Sequence, residues 1–106
     1  MKISFDIEQI KTFFKENHFL ITNHARTRMF QRNISTDGIT GMIQNSEVIE
    51  LYLDDKPCPS ALVLGYWQNK PVHLVIAQCV DHARVITVYH PDKNKWIDYK
   101  KRKTKQ

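Results

Sequence analysis

Hydrophobic residues recur at helical spacing in the first part of the chain and at alternating positions in the second part. Three N-terminal segments carry apolar residues every three or four positions, and each follows a residue type that caps helices. The predicted helices run from Asp6 to about Asn17, from Thr22 or Asn23 to about Arg32, and from Ser35 or Thr36 onwards. Asn33 is expected to end the second helix, because asparagine tolerates the left-handed backbone found after many helices.

The pattern then changes to a period of two, which is typical of strands. Four strands are predicted, at about residues 48–53, 60–67, 72–80 and 84–90. Pro91 ends the last strand, since proline cannot donate a hydrogen bond to a neighbouring strand. The order of elements predicts an α+β fold, with two to three N-terminal helices packed on a four-stranded antiparallel sheet. One domain is expected over residues 1–99.

The register of the last predicted hairpin decides which residues share a face of the sheet, because a slip of one residue exchanges the faces. A three-residue loop over 81–83 gives one strongly apolar face, formed by Leu74, Ile76, Ile86 and Val88. The opposite face then gathers His73, Val75, Thr87 and Tyr89. A two-residue loop would place His73 and His90 beside bulky aliphatic side chains, so we favour the three-residue loop.

The net charge of +5 is concentrated at the C-terminus. Residues 93–106 contain seven basic residues and one acidic residue, so this segment carries +6 and the other 92 residues carry −1. A basic segment can bind a polyanion such as RNA, and the candidate contacts are Lys100, Lys101, Arg102 and Lys103. The alternative is a solubilising, frayed tail over 100–106. Trp96, which precedes this tail, is expected to fold back onto the domain.

Several classes of protein are disfavoured. No apolar run approaches the roughly 20 residues needed to cross a bilayer, so no membrane partner is expected. Asp6 and Glu8 interrupt the layout of a signal peptide, which predicts a cytoplasmic protein in which Cys58 and Cys79 are free thiols. The histidines and cysteines lack the spacing of a structural zinc site, and no glycine-rich phosphate loop is present. Neither a metal nor a cofactor is therefore expected, and the oligomeric state is left open.

The first candidate for chemistry is a stripe along the second predicted helix. His24, Arg28 and Arg32 lie four residues apart, which places them on one side of a helix over about 12 Å. An imidazole can give or take a proton near neutral pH, and guanidinium groups bind phosphate with paired donors. Metal-free RNA cleavage needs such groups for proton transfer and for the charge that builds up at phosphorus. The same spacing also occurs on ordinary solvated helix faces.

The second candidate is His73, which lies in an otherwise apolar strand and shares a predicted face with Thr87 and Tyr89. A buried polar group has to be hydrogen-bonded. His73 is therefore either a proton-transfer group or a core histidine bonded to Thr87 or Tyr89. If the helices cover the other face of the sheet, His24 and His73 can meet only around an edge.

Four short blocks over about residues 22–96 resemble the bacterial family called domain of unknown function 4258. In order, they are His24-Ala25-x-x-Arg28-Met29-x-x-Arg32-x-Ile34, the segment 54–65, Pro71–Val75, and Ile86–Asp92 followed by Trp96. One departure is Asn33, where the family commonly has glycine. The resemblance implies a fold related to RelE-like and barnase-like toxins, in which helices pack on an antiparallel sheet.

The resemblance also implies a toxin-like, metal-independent endoribonuclease of a bacterial toxin–antitoxin system, with RNA or the ribosome and an antitoxin protein as partners. In this hypothesis His24 transfers protons and Arg28 and Arg32 bind phosphate. His73 or Tyr89 supplies the second proton-transfer group, while Thr87 and the four tail cations contact the substrate. The alternative hypothesis is a non-catalytic module on the same scaffold that binds nucleic acid or protein.

Overall fold

The computed structural model describes residues 4–103, and this range forms three helices and seven strands. The helices are α1 (Ile7–Lys15), α2 (Asn23–Gln31) and α3 (Thr36–Gln44). The strands are β1 (Phe19–Ile21), β2 (Glu47–Tyr52), β3 (Ser60–Trp67), β4 (Lys70–Gln78), β5 (Ala83–Tyr89), β6 (Trp96–Ile97) and β7 (Lys101–Arg102). None of the helices in this range is long and apolar enough to span a membrane.

Each helix begins at a side-chain cap. The Asp6 carboxylate accepts a hydrogen bond from the Glu8 amide at 2.9 Å. The hydroxyls of Thr22 and Ser35 accept from amides three residues further on, at 3.1 and 2.9 Å. These bonds satisfy donors that lack a partner within the helix. The predicted helix starts are confirmed, and Asn33 adopts the left-handed conformation after α2, with φ 56°.

The sheet has five strands in the order β1-β5-β4-β3-β2. Strands β2 to β5 form the predicted antiparallel meander, but β1 pairs in parallel with the far edge of β5. The prediction of an α+β fold is confirmed, whereas the prediction of a purely antiparallel four-stranded sheet was wrong. Three residues between two helices are too few to show a period of two, so β1 left no readable pattern. The small β6–β7 hairpin was missed for the same reason.

The helices cover one face of the sheet, which we call the helical face. Its buried side chains form one cluster with those of the helices, and the strands contribute Ile21, Ala61, Val63, Val72, Leu74, Ile76, Ala83, Val85 and Val88. Side chains alternate along a strand, so the intervening residues point to the other side. We call that side the second face; it includes Glu50, Leu64, His73, Thr87 and Tyr89.

The β4–β5 register pairs His73 with Tyr89 and Val75 with Thr87, which places these four residues on one face as predicted. The predicted apolar face was wrong at one position. A bulge follows Val75, so Ile76 pairs with Val85. Val85 is therefore fully buried in the core and Ile86 is only half-buried. The loop is also longer than predicted, because the last cross-strand pair is Gln78 with Ala83. An extra residue in one strand removes the simple alternation on which the prediction relied.

Cys58 and Cys79 form a disulfide, so the prediction of two free thiols was wrong. Strands β3 and β4 pair antiparallel, with Ser60 opposite Ala77. Continuing this register by two residues brings Cys58 opposite Cys79, with their Cα atoms 5.2 Å apart. The Gln78 amide donates to the Pro59 carbonyl at 2.8 Å and extends the pairing beyond the strands. The disulfide therefore follows from the strand register, which the spacing of the two cysteines does not reveal.

Candidate functional site

The edge of the sheet beside β5 fixes the start of α2. The Thr22 amide donates to the Val85 carbonyl at 3.1 Å, and the Thr22 hydroxyl donates to the Ile86 carbonyl at 3.0 Å. Helix α2 therefore leaves the sheet where β1 ends and β5 continues. Its second residue, His24, is exposed, and its Nε2 lies 2.9 Å from the Thr87 hydroxyl.

The contact with Thr87 shows which face of the sheet His24 reaches, a point that the sequence left open. Thr87 and Tyr89 are two residues apart on β5 and share the second face with His73. His24 reaches around the edge of the sheet to this face, although the body of α2 packs against the core through Ala25 and Met29. An exposed imidazole is thus held beside a hydroxyl at the rim of the second face.

The two arginines of the stripe are half-buried and take part in no ion pair within residues 4–103. Arg28 donates to the Gln31 side chain at 3.3 Å. Arg32 lies at the C-terminal cap of α2, and its buried Nε has no hydrogen-bond partner in the part of the chain that the structure describes. No carboxylate of residues 4–103 therefore forms an ion pair with Arg28 or Arg32.

Arg84 is a candidate that the sequence reasoning missed. Its neighbours Ala83 and Val85 are both fully buried in the core, so alternation directs Arg84 to the second face, on the same strand as Thr87. Its Nε is buried and lacks a hydrogen-bond partner among residues 4–103. A buried donor without a partner is costly in a folded protein and often marks a site that an additional group completes. The signal in the sequence was a single arginine between two small or apolar residues of a strand.

His73 is fully buried, and both of its ring nitrogens are hydrogen-bonded. Its Nε2 donates to the main-chain carbonyl of Tyr99 at 2.7 Å, because a carbonyl can only accept. Its Nδ1 then accepts from the Tyr89 hydroxyl at 3.3 Å. The Trp96 ring stands edge-on to the imidazole, with 4.6 Å between ring centres. His73 therefore matches the alternative of a satisfied core histidine.

Burial governs the electrostatics of this pair. Loss of solvent lowers the pKa of His73, although the Tyr99 carbonyl and the Glu50 carboxylate oppose the shift. Burial also raises the pKa of Tyr89, so its hydroxyl keeps its proton. Both effects favour the neutral forms that the hydrogen bond between the two side chains needs. We therefore assign positioning rather than proton transfer to His73 and Tyr89.

The C-terminal hairpin covers the second face with one of its two sides. Trp96 is buried and lies opposite Arg102, whose guanidinium carbon is 4.7 Å from the centre of the Trp96 ring. Arg102 donates to both oxygens of Glu50, at 2.8 and 3.1 Å. The Tyr52 hydroxyl donates to the same carboxylate at 2.6 Å. A cation stacked on an aromatic ring and bonded at two points is well fixed, so this pair fastens the hairpin to β2.

The same contacts shift the titration of the groups involved. The hydrogen bonds from Arg102 lower the pKa of Glu50 and outweigh the opposing effect of burial. Burial, together with the hydrogen bond to Glu50, raises the pKa of Tyr52 to about 12. The Glu50 hydrogen bonds also raise the pKa of Arg102. The cluster therefore holds one negative and one positive charge at neutral pH.

The remaining tail cations lie at the surface. Lys100 is 3.0 Å from the Glu47 carboxylate, whose hydrogen bond raises the lysine pKa. Lys101 points to the opposite side of β7 from Arg102 and is exposed. Lys103 is also exposed, and its amide donates a hydrogen bond to the Lys95 carbonyl. Two of the four predicted substrate contacts, Lys100 and Arg102, are thus engaged by acidic side chains of β2. The end of the predicted frayed tail, residues 104–106, lies outside the described residues.

Within residues 4–103, no group of three or more histidine, cysteine, aspartate or glutamate side chains is arranged to hold a metal ion.

The structure divides the predicted site residues into three sets. His24 and Thr87 are brought together at the rim of the second face, and Arg28 and Arg32 follow on the same helix. The buried His73 bonds to the half-buried Tyr89, and the tail residues Lys100 and Arg102 contact β2.

Comparison with known proteins gives a family without an assigned activity. No curated protein and no solved structure matches the chain significantly. The model of the family described as "Domain of unknown function (DUF4258)" matches residues 21–90, a segment that begins at the end of β1 and ends just after β5. This segment contains His24, Thr87 and His73. The chain belongs to the DUF4258 family.

Proposed function

We propose that this protein is a metal-independent endoribonuclease of the bacterial toxin type, which cleaves RNA at the rim of the second face beside His24. The observation that supports the proposal most directly is the exposed imidazole held 2.9 Å from the Thr87 hydroxyl, with Arg28 and Arg32 further along α2 and its C-terminal cap in no ion pair within residues 4–103. The proposal also includes a relation to RelE-like and barnase-like toxins and an antitoxin partner, which the family resemblance implies, and a cytoplasmic location, which the N-terminal sequence predicts.

The reaction needs one proton acceptor and cations, and both are within this part of the fold. His24 takes the proton of a ribose 2′-hydroxyl, whose oxygen then attacks the adjacent phosphorus. The bond from phosphorus to the 5′-oxygen breaks and leaves a cyclic phosphate on the upstream fragment. The leaving oxygen takes a proton from solvent, and His24 returns its own proton to solvent. Thr87 orients the imidazole by its hydrogen bond.

The guanidinium groups supply the positive charge. Negative charge builds up on the phosphate oxygens in the transition state, and preorganised donors stabilise it most where water is excluded. Arg28 and Arg32 are half-buried on α2, and Arg84 lies on the strand that carries Thr87. Arg32 and Arg84 each keep a buried Nε donor without a partner among residues 4–103, so neither guanidinium is committed to an acceptor of the described chain through this atom. His73 and Tyr89 take no part in proton transfer in this proposal, because they bond to each other below the surface.

The test is cleavage of a labelled single-stranded RNA by the purified chain in the presence of a chelator. His24→Ala is expected to lower the cleavage rate at least about a hundredfold, the usual contribution of a general base. The matched control is His18→Ala, which removes another exposed histidine, at the junction of α1 and β1. It should cleave at the wild-type rate. Circular dichroism establishes that both variants are folded.

Three results would refute the endoribonuclease proposal. They are RNA that stays intact with the wild-type chain, equal rates for the two histidine variants, and full activity of the double variant Arg28→Ala, Arg32→Ala. Intact RNA that nevertheless binds would favour the non-catalytic binding module. In that case deletion of residues 100–106 should weaken binding, and the affinity should fall as salt is raised.

A further inference from the structure

A cavity of about 360 Å³ lies at the end of the sheet where β4 begins and β5 finishes. Its lining comes from three segments that are far apart in sequence: Lys70, Pro71, His90, Pro91, Asp92, Lys93 and Tyr99. The volume falls within the range of small-molecule sites. None of the lining residues belongs to the contact between His24 and Thr87.

The cavity combines cations with an apolar wall. Lys70 and Lys93 are exposed, and the lining carries a formal charge of +1 when His90 is neutral, since Asp92 contributes the one negative charge. One Asp92 oxygen already accepts the Asn94 amide at 2.8 Å, which directs this carboxylate into its own turn. The lysines are therefore the side chains that remain to meet an anion.

His90 presents a fixed hydrogen-bonding pattern. Its Nδ1 donates to the Pro71 carbonyl at 2.9 Å, because the carbonyl can only accept. In the neutral ring this leaves Nε2 as an acceptor. Pro71, Pro91 and Tyr99 line the cavity beside it and are the apolar and aromatic residues of the lining. Base rings stack on aromatic side chains, and phosphates bind lysine, so this lining suits a ligand that carries both.

We propose that this cavity is a nucleotide-binding subsite, which receives the base of one RNA nucleotide against Tyr99 and its phosphate between Lys70 and Lys93. The inference rests on the proposed function for its ligand, since it adds a second contact point for the RNA that His24 cleaves. Thr87 lies on β5, and His90 directly follows this strand. Their separation of three residues corresponds to about 10 Å along an extended chain. A single strand of RNA that follows β5 would meet both places.

The main-chain carbonyl of Tyr99 is held by His73, which keeps this residue at the cavity. The buried histidine thus supports the subsite from below. This gives the buried His73 a part in binding, although its side chain does not line the cavity.

The experiment is a calorimetric titration of the full chain carrying His24→Ala, so that binding is measured without turnover. The probes are adenosine 5′-monophosphate, adenosine and inorganic phosphate. The double variant Lys70→Gln, Lys93→Gln is compared with Lys15→Gln, Lys95→Gln, which removes the same charge from exposed lysines outside the cavity. Tyr99→Ala tests the aromatic contact.

The monophosphate is expected to bind at least about tenfold more tightly than either adenosine or phosphate alone. Lys70→Gln, Lys93→Gln and Tyr99→Ala should each weaken it about tenfold, and the control double variant should bind it as before. Equal binding by the two double variants, or no preference for the monophosphate over phosphate, would overturn the subsite. Failure of the nuclease proposal appears separately, as intact RNA with the wild-type chain while the monophosphate still binds.

Discussion

His73 donates a hydrogen bond of 2.7 Å from its Nε2 to the main-chain carbonyl of Tyr99, which lies 26 residues further along the chain. This bond links the centre of the sheet to the C-terminal hairpin. The hairpin consists of two short strands, and the Trp96 ring packs against His73. Its attachment to the sheet therefore depends largely on the His73 imidazole and on the ion pairs of Arg102 and Lys100 with β2.

Replacing His73 with phenylalanine is expected to lower the free energy of unfolding by about 1–3 kcal/mol, because the Tyr99 carbonyl and the Tyr89 hydroxyl lose their partner. Urea unfolding followed by circular dichroism measures this loss. Hydrogen exchange should show faster exchange at residues 96–102 than in the wild type. His18→Phe, at an exposed position, is the control and should change neither measurement. Unchanged exchange in the hairpin of His73→Phe would contradict the link.

The same histidine predicts how stability depends on pH. Burial lowers the pKa of His73 in the folded state, so the unfolded chain takes up a proton first as the pH falls. The contribution to stability is therefore complete above the ordinary histidine pKa of 6.5 and is lost as the pH falls through the lower, folded-state pKa. Between pH 7 and pH 5 the wild-type free energy of unfolding should fall more steeply than that of His73→Phe. Parallel curves for the two proteins would rule out this origin of the pH dependence.

The disulfide predicts a measurable loss of stability on reduction. Cys58 and Cys79 are 21 residues apart, and opening a loop of this length increases the entropy of the unfolded chain. The expected cost is about 3 kcal/mol, whether the bond is removed by a reducing agent or by Cys58→Ser, Cys79→Ser. Thermal unfolding with and without reductant measures it, and the double serine variant should not respond to the reductant. Alkylation and mass spectrometry of protein from bacterial cells would report how much of the pair is oxidised there.

Two glycines of α3 offer a matched pair of substitutions. A Cβ atom on Gly38 would lie 2.6 Å from the Trp67 ring, whereas one on Gly41 would meet nothing within 4 Å. Gly38→Ala should therefore destabilise the protein by about 1–3 kcal/mol, because the indole has to move. Gly41→Ala should stabilise it by about 0.5–1 kcal/mol through helix propensity. The difference in the urea midpoint between the two variants is the measurement, and equal midpoints would mean that Trp67 moves freely.

Long, regular segments could be predicted from the sequence, and short or irregular ones could not. Asp6, Thr22 and Ser35 marked the helix starts because capping is a local interaction between neighbouring residues. Strand β1 could not be predicted, since the strand with which it pairs, β5, lies more than 60 residues away. The bulge after Val75 was equally hidden, because nothing in the local sequence distinguishes Val85 from Ile86 as the core residue.

The candidate site shows the same division. The shared face of His73 and Tyr89 follows from alternation, so it could be predicted from the two strands, whereas their direct pairing depends on a loop length that was predicted wrongly. The contact between His24 and Thr87 required the position of α2 at the sheet edge, which depends on β1. The ion pair between Arg102 and Glu50 could not be predicted either, because it also depends on the tertiary structure. A run of basic residues in the sequence does not indicate which acidic residues it will contact.

The parallel pairing of β1 with β5 has a consequence for synthesis on the ribosome. Phe19–Ile21 leaves the exit tunnel early, but its partners Ala83–Val85 are made more than 60 residues later. The helices and strands β1 to β4 all precede β5 in the chain, so His24 cannot be anchored beside Thr87 until β5 has emerged from the ribosome. A site that needs this contact would therefore be inactive on the nascent chain until β5 has emerged.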